Sequence, residues 1–143
     1  SIAGRVAIVT GAASGMGRAT AILFASEGAK VAVTDLDQSV CDAVVAEIEA
    51  NGGTAKAFAL DVSNVDAIND VVASVAQTFG GIDILVNNAG ILGPTTPLAD
   101  LDPADYARIC AVNQVGVFLG MKAVLPAMMA AGAGSIDTIS NSR

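Results

Sequence analysis

The 143-residue chain has no histidine and no tryptophan, a single tyrosine, and two cysteines far apart, Cys41 and Cys110. Without histidine, Ser-His-Asp and Cys-His mechanisms are excluded. No C-x-x-C occurs, and with histidine missing as well the chain offers no metal-ligand spacing. The two cysteines read as buried, reduced thiols of a cytosolic protein. Basic residues are scarce, 7 Lys and Arg against 14 Asp and Glu. The net charge of −7 gives no electrostatic footing for nucleic acid or an anionic membrane surface. No run approaches the ~20 apolar residues of a membrane span. The N-terminus lacks the charged segment, apolar stretch and cleavage site of a signal peptide, so a cytoplasmic location is expected. Aromatics make up 3% against 53% hydrophobic residues, so the core must be Ala, Val, Ile and Leu. That suits a parallel sheet covered by small-residue helices, in one domain spanning 1–143.

What is present begins with Val6-Ala7-Ile8-Val9-Thr10-Gly11-Ala12-Ala13-Ser14-Gly15-Met16-Gly17. A short apolar run breaks into glycines, and helical spacing then starts at Ala19, Ile22 and Leu23. Strand, glycine turn and helix form the front half of a βαβ unit. The glycines let the chain reverse sharply and bring its backbone close to a ligand. Free N–H groups and the dipole at the helix start favour an anion, and a pyrophosphate is expected there.

The first helix is expected from Ser14 to Glu27, stopped by Gly28. A second strand, Val31 to Thr34, ends in Asp35, close to the ~20-residue offset of a ribose-binding acid. A second helix covers Ser39 to Ala50, with Val40, Val44, Val45 and Ile48 on one face, and Asn51-Gly52-Gly53 ends it. Ala55 to Leu60 reads as the third strand, followed by Asp61-Val62. Ser63-Asn64-Val65-Asp66 has the form of a capping box before an apolar helix of Val65, Ile68, Val72, Val75 and Phe79 that Gly80-Gly81 ends. Ile82 to Val86 is the fourth strand, and Asn87-Asn88-Ala89-Gly90 follows at once. Its small residues let a cofactor lie against the strand end, and an asparagine there can tie neighbouring strands through the backbone. After a loop from Ile91 to Leu101, Asp102 caps a helix with Pro103 in its first position. This long helix contains Ile109, Val112, Asn113, Val117, Leu119 and Leu125, with a kink expected at Pro126. Gly132 and Gly134 end it, and Ser135 to Ile139 is the fifth strand. The alternation predicts an α/β fold, a doubly wound parallel sheet of Rossmann type with strand order 3-2-1-4-5. The fifth strand would be an exposed edge that favours self-association.

Together, T-G-x-x-x-G-x-G and N-N-A-G resemble the short-chain dehydrogenase/reductase family over residues 4–136. The resemblance implies a nicotinamide cofactor on Gly11, Ser14, Gly15, Met16 and Gly17, on Asp35 and Leu36, and on Asp61 and Val62 at the adenine. It further implies contacts along Asn87, Asn88, Ala89, Gly90 and Val112. Members that prefer NADP carry a basic residue where Ser14 or Leu36 stands here, so NAD is the expected cofactor. Arg18 reads as a solvated helix residue. Asn113 matches the family's helix asparagine, which holds a water in a proton relay to the catalytic lysine.

Family chemistry uses a serine and a Tyr-x-x-x-Lys pair. Here the only tyrosine, Tyr106, is paired with Cys110 at the lysine's place and precedes the fifth strand. It reads as a helix-packing residue, and Lys122 as solvated. Asn141 stands at the family's serine position, so the flanking Ser140 and Ser142 are the candidate catalytic serines. The match decays through 137–143, where Asp137 puts a charge into a strand expected to be buried. The implied activity is hydride transfer between NAD and an alcohol/carbonyl substrate, by an enzyme expected to be homo-oligomeric at full length. This chain would be its cofactor-binding portion, inactive alone without the tyrosine–lysine pair. A non-catalytic NAD-binding or regulatory short form is the alternative. A methyltransferase of similar topology would not pair N-N-A-G with this glycine turn.

Overall fold

The computed structural model describes residues 1–140. Five parallel strands, β1 (Val6–Thr10), β2 (Lys30–Asp35), β3 (Thr54–Ala59), β4 (Ile84–Asn87) and β5 (Ser135–Thr138), form one sheet in the order β3-β2-β1-β4-β5. The chain winds outward through β2 and β3, then crosses back to β4 beside β1. The strand ends therefore diverge between β1 and β4, where open α/β sheets bind ligands. Register is direct, with Val9 opposite Val33 on one side and Val86 on the other.

All five residues of β1 are buried. Their alternation divides the core. Val6 and Ile8 pack with Ile68, Val72 and Val75 of α3 (Val65–Phe79) and Val124 and Met128 of α5 (Gly116–Ala131). Val9 faces the other way, with Ala21 and Ala25 of α1 (Gly15–Ser26) and Cys41, Val44 and Ile48 of α2 (Gln38–Ala50). Full burial of each large aliphatic side chain contributes about 1.5–3 kcal/mol, so a nearly aromatic-free core suffices.

Several local expectations are revised. Ser63 does not cap α3; its hydroxyl turns back to Asp61, and Asn64 caps instead by accepting from the Ala67 amide at 3.0 Å. Asp37 caps α2, accepting from the Ser39 amide at 2.8 Å. The long helix is in three parts: α4 (Pro103–Cys110), a π turn at Ala111–Val115, and α5. α5 continues through Pro126, which is exposed, so the carbonyl it leaves unpaired can be hydrated. The packed face of α5 runs through Gly116, Gly120, Val124 and Met128. A Cβ at Gly116 would lie 2.8 Å from Val62 Cγ2, and one at Gly120 2.7 Å from Asn87 Oδ1. Against the expectation that no run approaches a membrane span, Pro103–Ala131 is long and apolar enough to cross a bilayer by length and composition; Val112, Val124 and Met128 from this run pack into the core.

Other side chains also differ from expectation. Arg18 is not simply solvated but forms an ion pair with Glu47 of α2. Tyr106 does not pack, since it is 62% exposed. Cys41 is buried, and desolvation pushes its thiol up to about 11; Cys110 is only half-buried. Asp137 escapes the cost of burial because it is exposed on the outermost strand, its carboxylate accepting from the Thr138 amide.

Candidate functional site

The site starts from Thr10, the last residue of β1 and almost fully buried. Its hydroxyl accepts from the amides of Asn88 and Ala89, both at 3.0 Å, and donates to the Val86 carbonyl at 3.4 Å. Asn88 answers by donating from Nδ2 to the carbonyls of Thr10 (3.0 Å) and Gly11 (3.1 Å). The two motifs are thus joined, and the asparagine tie expected between strands belongs to Asn88. Asn87 instead is buried against Gly120, its Nδ2 without a hydrogen-bond partner among the described residues.

The three glycines serve different ends. A Cβ at Gly11 would lie 2.9 Å from Ala89 Cα, and one at Gly17 would collide with the Gly11 carbonyl and Asn88 Nδ2. Both therefore permit protein packing. Gly15 adopts φ +56 and faces open space, so it is required for its left-handed backbone. Among the described residues no side chain caps α1, and its first turn holds no acid. Its leading amides and dipole are left for an anion.

Two cavities follow the carboxyl ends of the strands. The first, ≈240 Å³, is bordered by Gly11, Ser14, Asp35, Leu36, Asp61 and Val62, and reaches Val112. The second, ≈430 Å³, is bordered by Met16, Asn87, Asn113, Thr138 and Ser140. Asn88, Ala89, Gly90 and Ile91 border both. The structure therefore gathers the sequence-selected residues around one crevice. Gly15 and Gly17 shape its turn, Ser140 is exposed at its β5 end, and Ser142 lies outside the described residues.

Within the first cavity, Asp35 Oδ2 accepts from the Ala13 amide at 3.0 Å and Oδ1 from the Leu36 amide at 2.8 Å. With the Ala12 amide on the Thr34 carbonyl at 2.9 Å, this fastens the glycine turn to β2. Asp61 Oδ1 accepts from the hydroxyl (2.6 Å) and amide (3.0 Å) of Ser63. Oδ2 faces Arg108 Nη1 at 3.6 Å. The Ser63 hydroxyl, helped by the Arg108 charge, holds the Asp61 carboxyl below its ordinary value. In the second cavity, Asn113 sits within the π turn. Its Oδ1 accepts from the Ile91 amide at 2.8 Å and its Nδ2 donates to the Ile91 carbonyl at 2.9 Å. The polar partner that this amide requires is thus the chain just after N-N-A-G.

The sequence reading missed Arg108, Ile91 and Leu60 in the first cavity and Thr138 in the second. Leu60 and Ile91 adjoin selected motifs and were within reach of the argument. Nothing local in the sequence singles out Arg108.

A family model described as short chain dehydrogenase matches residues 5–142. The chain belongs to the short-chain dehydrogenase family. Among curated short-chain dehydrogenase relatives, it is 43% identical over 140 residues to a 2,5-dichloro-2,5-cyclohexadiene-1,4-diol dehydrogenase of Sphingobium indicum, covering 98% of this chain and 56% of the relative. It is 41% identical over 138 residues to a 3-oxoacyl-[acyl-carrier-protein] reductase of Thermotoga maritima, covering 96% and 56%. The chain thus spans little more than half the length of these relatives. Among solved structures it is similar to a metagenomic short-chain oxidoreductase in complex with NADP, at TM-score 0.94 and 41% identity, covering 99% of this chain and 64% of that one. It is also similar to an NAD+-bound xylitol dehydrogenase, at TM-score 0.92 and 35% identity, covering 96% and 53%. Membership in the short-chain dehydrogenase family therefore goes with a nicotinamide dinucleotide but does not choose between its two forms.

Proposed function

We propose that this chain binds NAD and serves an oxidoreductase that moves a hydride between NAD and an alcohol or carbonyl substrate. The observation that carries the choice of NAD is the electrostatics around Asp35. Its carboxylate borders the first cavity, and the neighbouring positions are Ser14 and an exposed Leu36. The nearby cation, Arg18, is held by Glu47 in the last turns of α2, away from the helix start that follows Asp35. A carboxylate accepts from both ribose hydroxyls and repels a 2′-phosphate.

The residues present fit the cofactor. The uncapped start of α1, opened by Gly15, would hold the diphosphate. Asp35 would hold the ribose, and Asp61, with Val62 and Leu36, the adenine. When bound, the nicotinamide supplies or accepts the hydride. Asn113 acts as a positioning residue by pinning Ile91 beside Gly90. Ser140, at the β5 end of the second cavity, is the candidate to polarise a substrate carbonyl. The chain holds no Tyr-x-x-x-Lys, so the 143-residue product alone is expected to bind NAD without turnover. The apolar side chains Phe118, Leu125 and Met129 exposed on α5 favour self-association of the complete protein.

Calorimetric titration of the product of the full coding frame should give tighter binding of NAD than of NADP. A preference for NADP, or no binding of either, overturns the proposal. A Tyr-x-x-x-Lys read downstream of Arg143, with an intact mass to match, supports the enzyme over a non-catalytic short form. A verified 143-residue product with turnover would contradict the assigned division of labour.

A further inference from the structure

Arg108 lies on the helix least embedded in the fold: no residue of α4 is buried. Two distant contacts tie this region inward. Ile109 packs onto Gly93, where a Cβ would collide with its Cδ1. Arg108 reaches the first cavity and faces Asp61.

The division of labour on Asp61 is informative. Oδ1 already accepts twice from Ser63. Oδ2 is the oxygen left for a ligand, and it is the one Arg108 faces. At 3.6 Å the pair is electrostatic but too long for a direct hydrogen bond. Oδ2 therefore keeps its accepting capacity, and the guanidinium keeps its donors. The cavity presents an acceptor beside a donor, both held by charge. The edge of adenine presents the complement, an amino donor beside a ring-nitrogen acceptor. Hypoxanthine replaces the amino group with a carbonyl and turns an accepting oxygen toward the carboxylate.

We propose that Arg108 is a specificity-determining residue, which together with Asp61 reads the adenine edge of the cofactor at two points. The proposal rests on the reading above that a nicotinamide dinucleotide lies with its base at Asp61. In it, Asp61 accepts from the amino group, while Arg108 orients Asp61 and donates to the adjoining ring nitrogen.

The test measures binding of NAD or NADP, whichever is tighter, and of the counterpart dinucleotide with hypoxanthine in place of adenine, to the full coding-frame product. The ratio of the two affinities cancels any change in the folded fraction. Wild type should prefer the adenine dinucleotide. Arg108→Met should lower that preference about two- to fivefold, the scale of a half-exposed charge pair. Arg108→Lys, keeping the charge, should retain part of it. In an Asp61→Asn background, Arg108→Met should lower the preference by less than it does alone, since only the contact with the ring nitrogen is then left to lose. An unchanged ratio in Arg108→Met, or an equal further fall in the Asp61→Asn background, overturns the role of Arg108 while leaving the cofactor reading intact. Failure of wild type to bind either dinucleotide overturns that reading as well.

Discussion

Replacement of Asp35 by alanine separates two tasks that this side chain performs at once. One oxygen anchors the Ala13 amide at 3.0 Å and the other the Leu36 amide at 2.8 Å. Each keeps a further lone pair for a ligand in the first cavity. Loss of the anchor slackens the glycine turn and weakens any dinucleotide alike, since both forms carry the same diphosphate. Loss of the ribose acceptor falls on NAD alone. Hydrogen bonds to a charged acceptor contribute about 1.5–3 kcal/mol, equivalent to roughly 10- to 100-fold in Kd. For NADP the same replacement removes a repulsion. The ratio of the two dissociation constants should therefore shift toward NADP by about tenfold or more, with the anchoring contribution cancelling. Asp35→Asn retains an acceptor for Ala13 and removes the charge, so it should shift the ratio the same way with a smaller loss of Tm. Calorimetric titration of each variant with both cofactors gives the ratio. Equal losses for NAD and NADP would show that Asp35 only anchors the turn, and the ribose assignment would be refuted.

Thr10→Val should be costly, because it takes the acceptor away from the half-buried amides of Asn88 and Ala89. At about 1–3 kcal/mol for each unsatisfied donor, urea unfolding should show a loss well above that of Thr34→Val, which removes only one donated bond, to Val9. Gly17→Ala should destabilise the fold by about 1–3 kcal/mol through overpacking against Gly11 and Asn88. Gly15→Ala meets no atom and should cost only its left-handed backbone, about 1–2 kcal/mol; a Tm loss clearly larger in Gly15→Ala than in Gly17→Ala would contradict the roles assigned. The Asp61 carboxyl is held below its ordinary 3.8, chiefly by the Ser63 hydroxyl. What its ionised form contributes is complete above that ordinary value and is lost as pH falls through the lowered one. A carboxyl-carbon NMR titration should place its midpoint below 3.8 and move it upward in Ser63→Ala. An unmoved midpoint would remove Ser63 as the cause.

The sequence by itself determined the elements and the ends at which chemistry gathers. Apolar runs such as Val6–Val9 must be buried on both faces, and glycines at 11, 15 and 17 mark a sharp turn into a helix whose backbone comes close to its neighbours. These are local constraints, set by solvation and backbone sterics over a few residues, so they can be read in chain order. They located β1, the glycine turn, Asp35 and N-N-A-G before any tertiary contact was known. Only the tertiary structure decided which side chains meet. It set Arg108 against Asp61, Arg18 against Glu47, Asn113 on the Ile91 backbone, and the Thr10 hydroxyl under Asn88 and Ala89. It also put an irregular turn at Ala111–Val115, inside what the sequence reads as one continuous helix. Partners distant in sequence share no period or spacing. Their meeting follows from how strands register and helices pack, and those relations exist only once the chain has closed on itself.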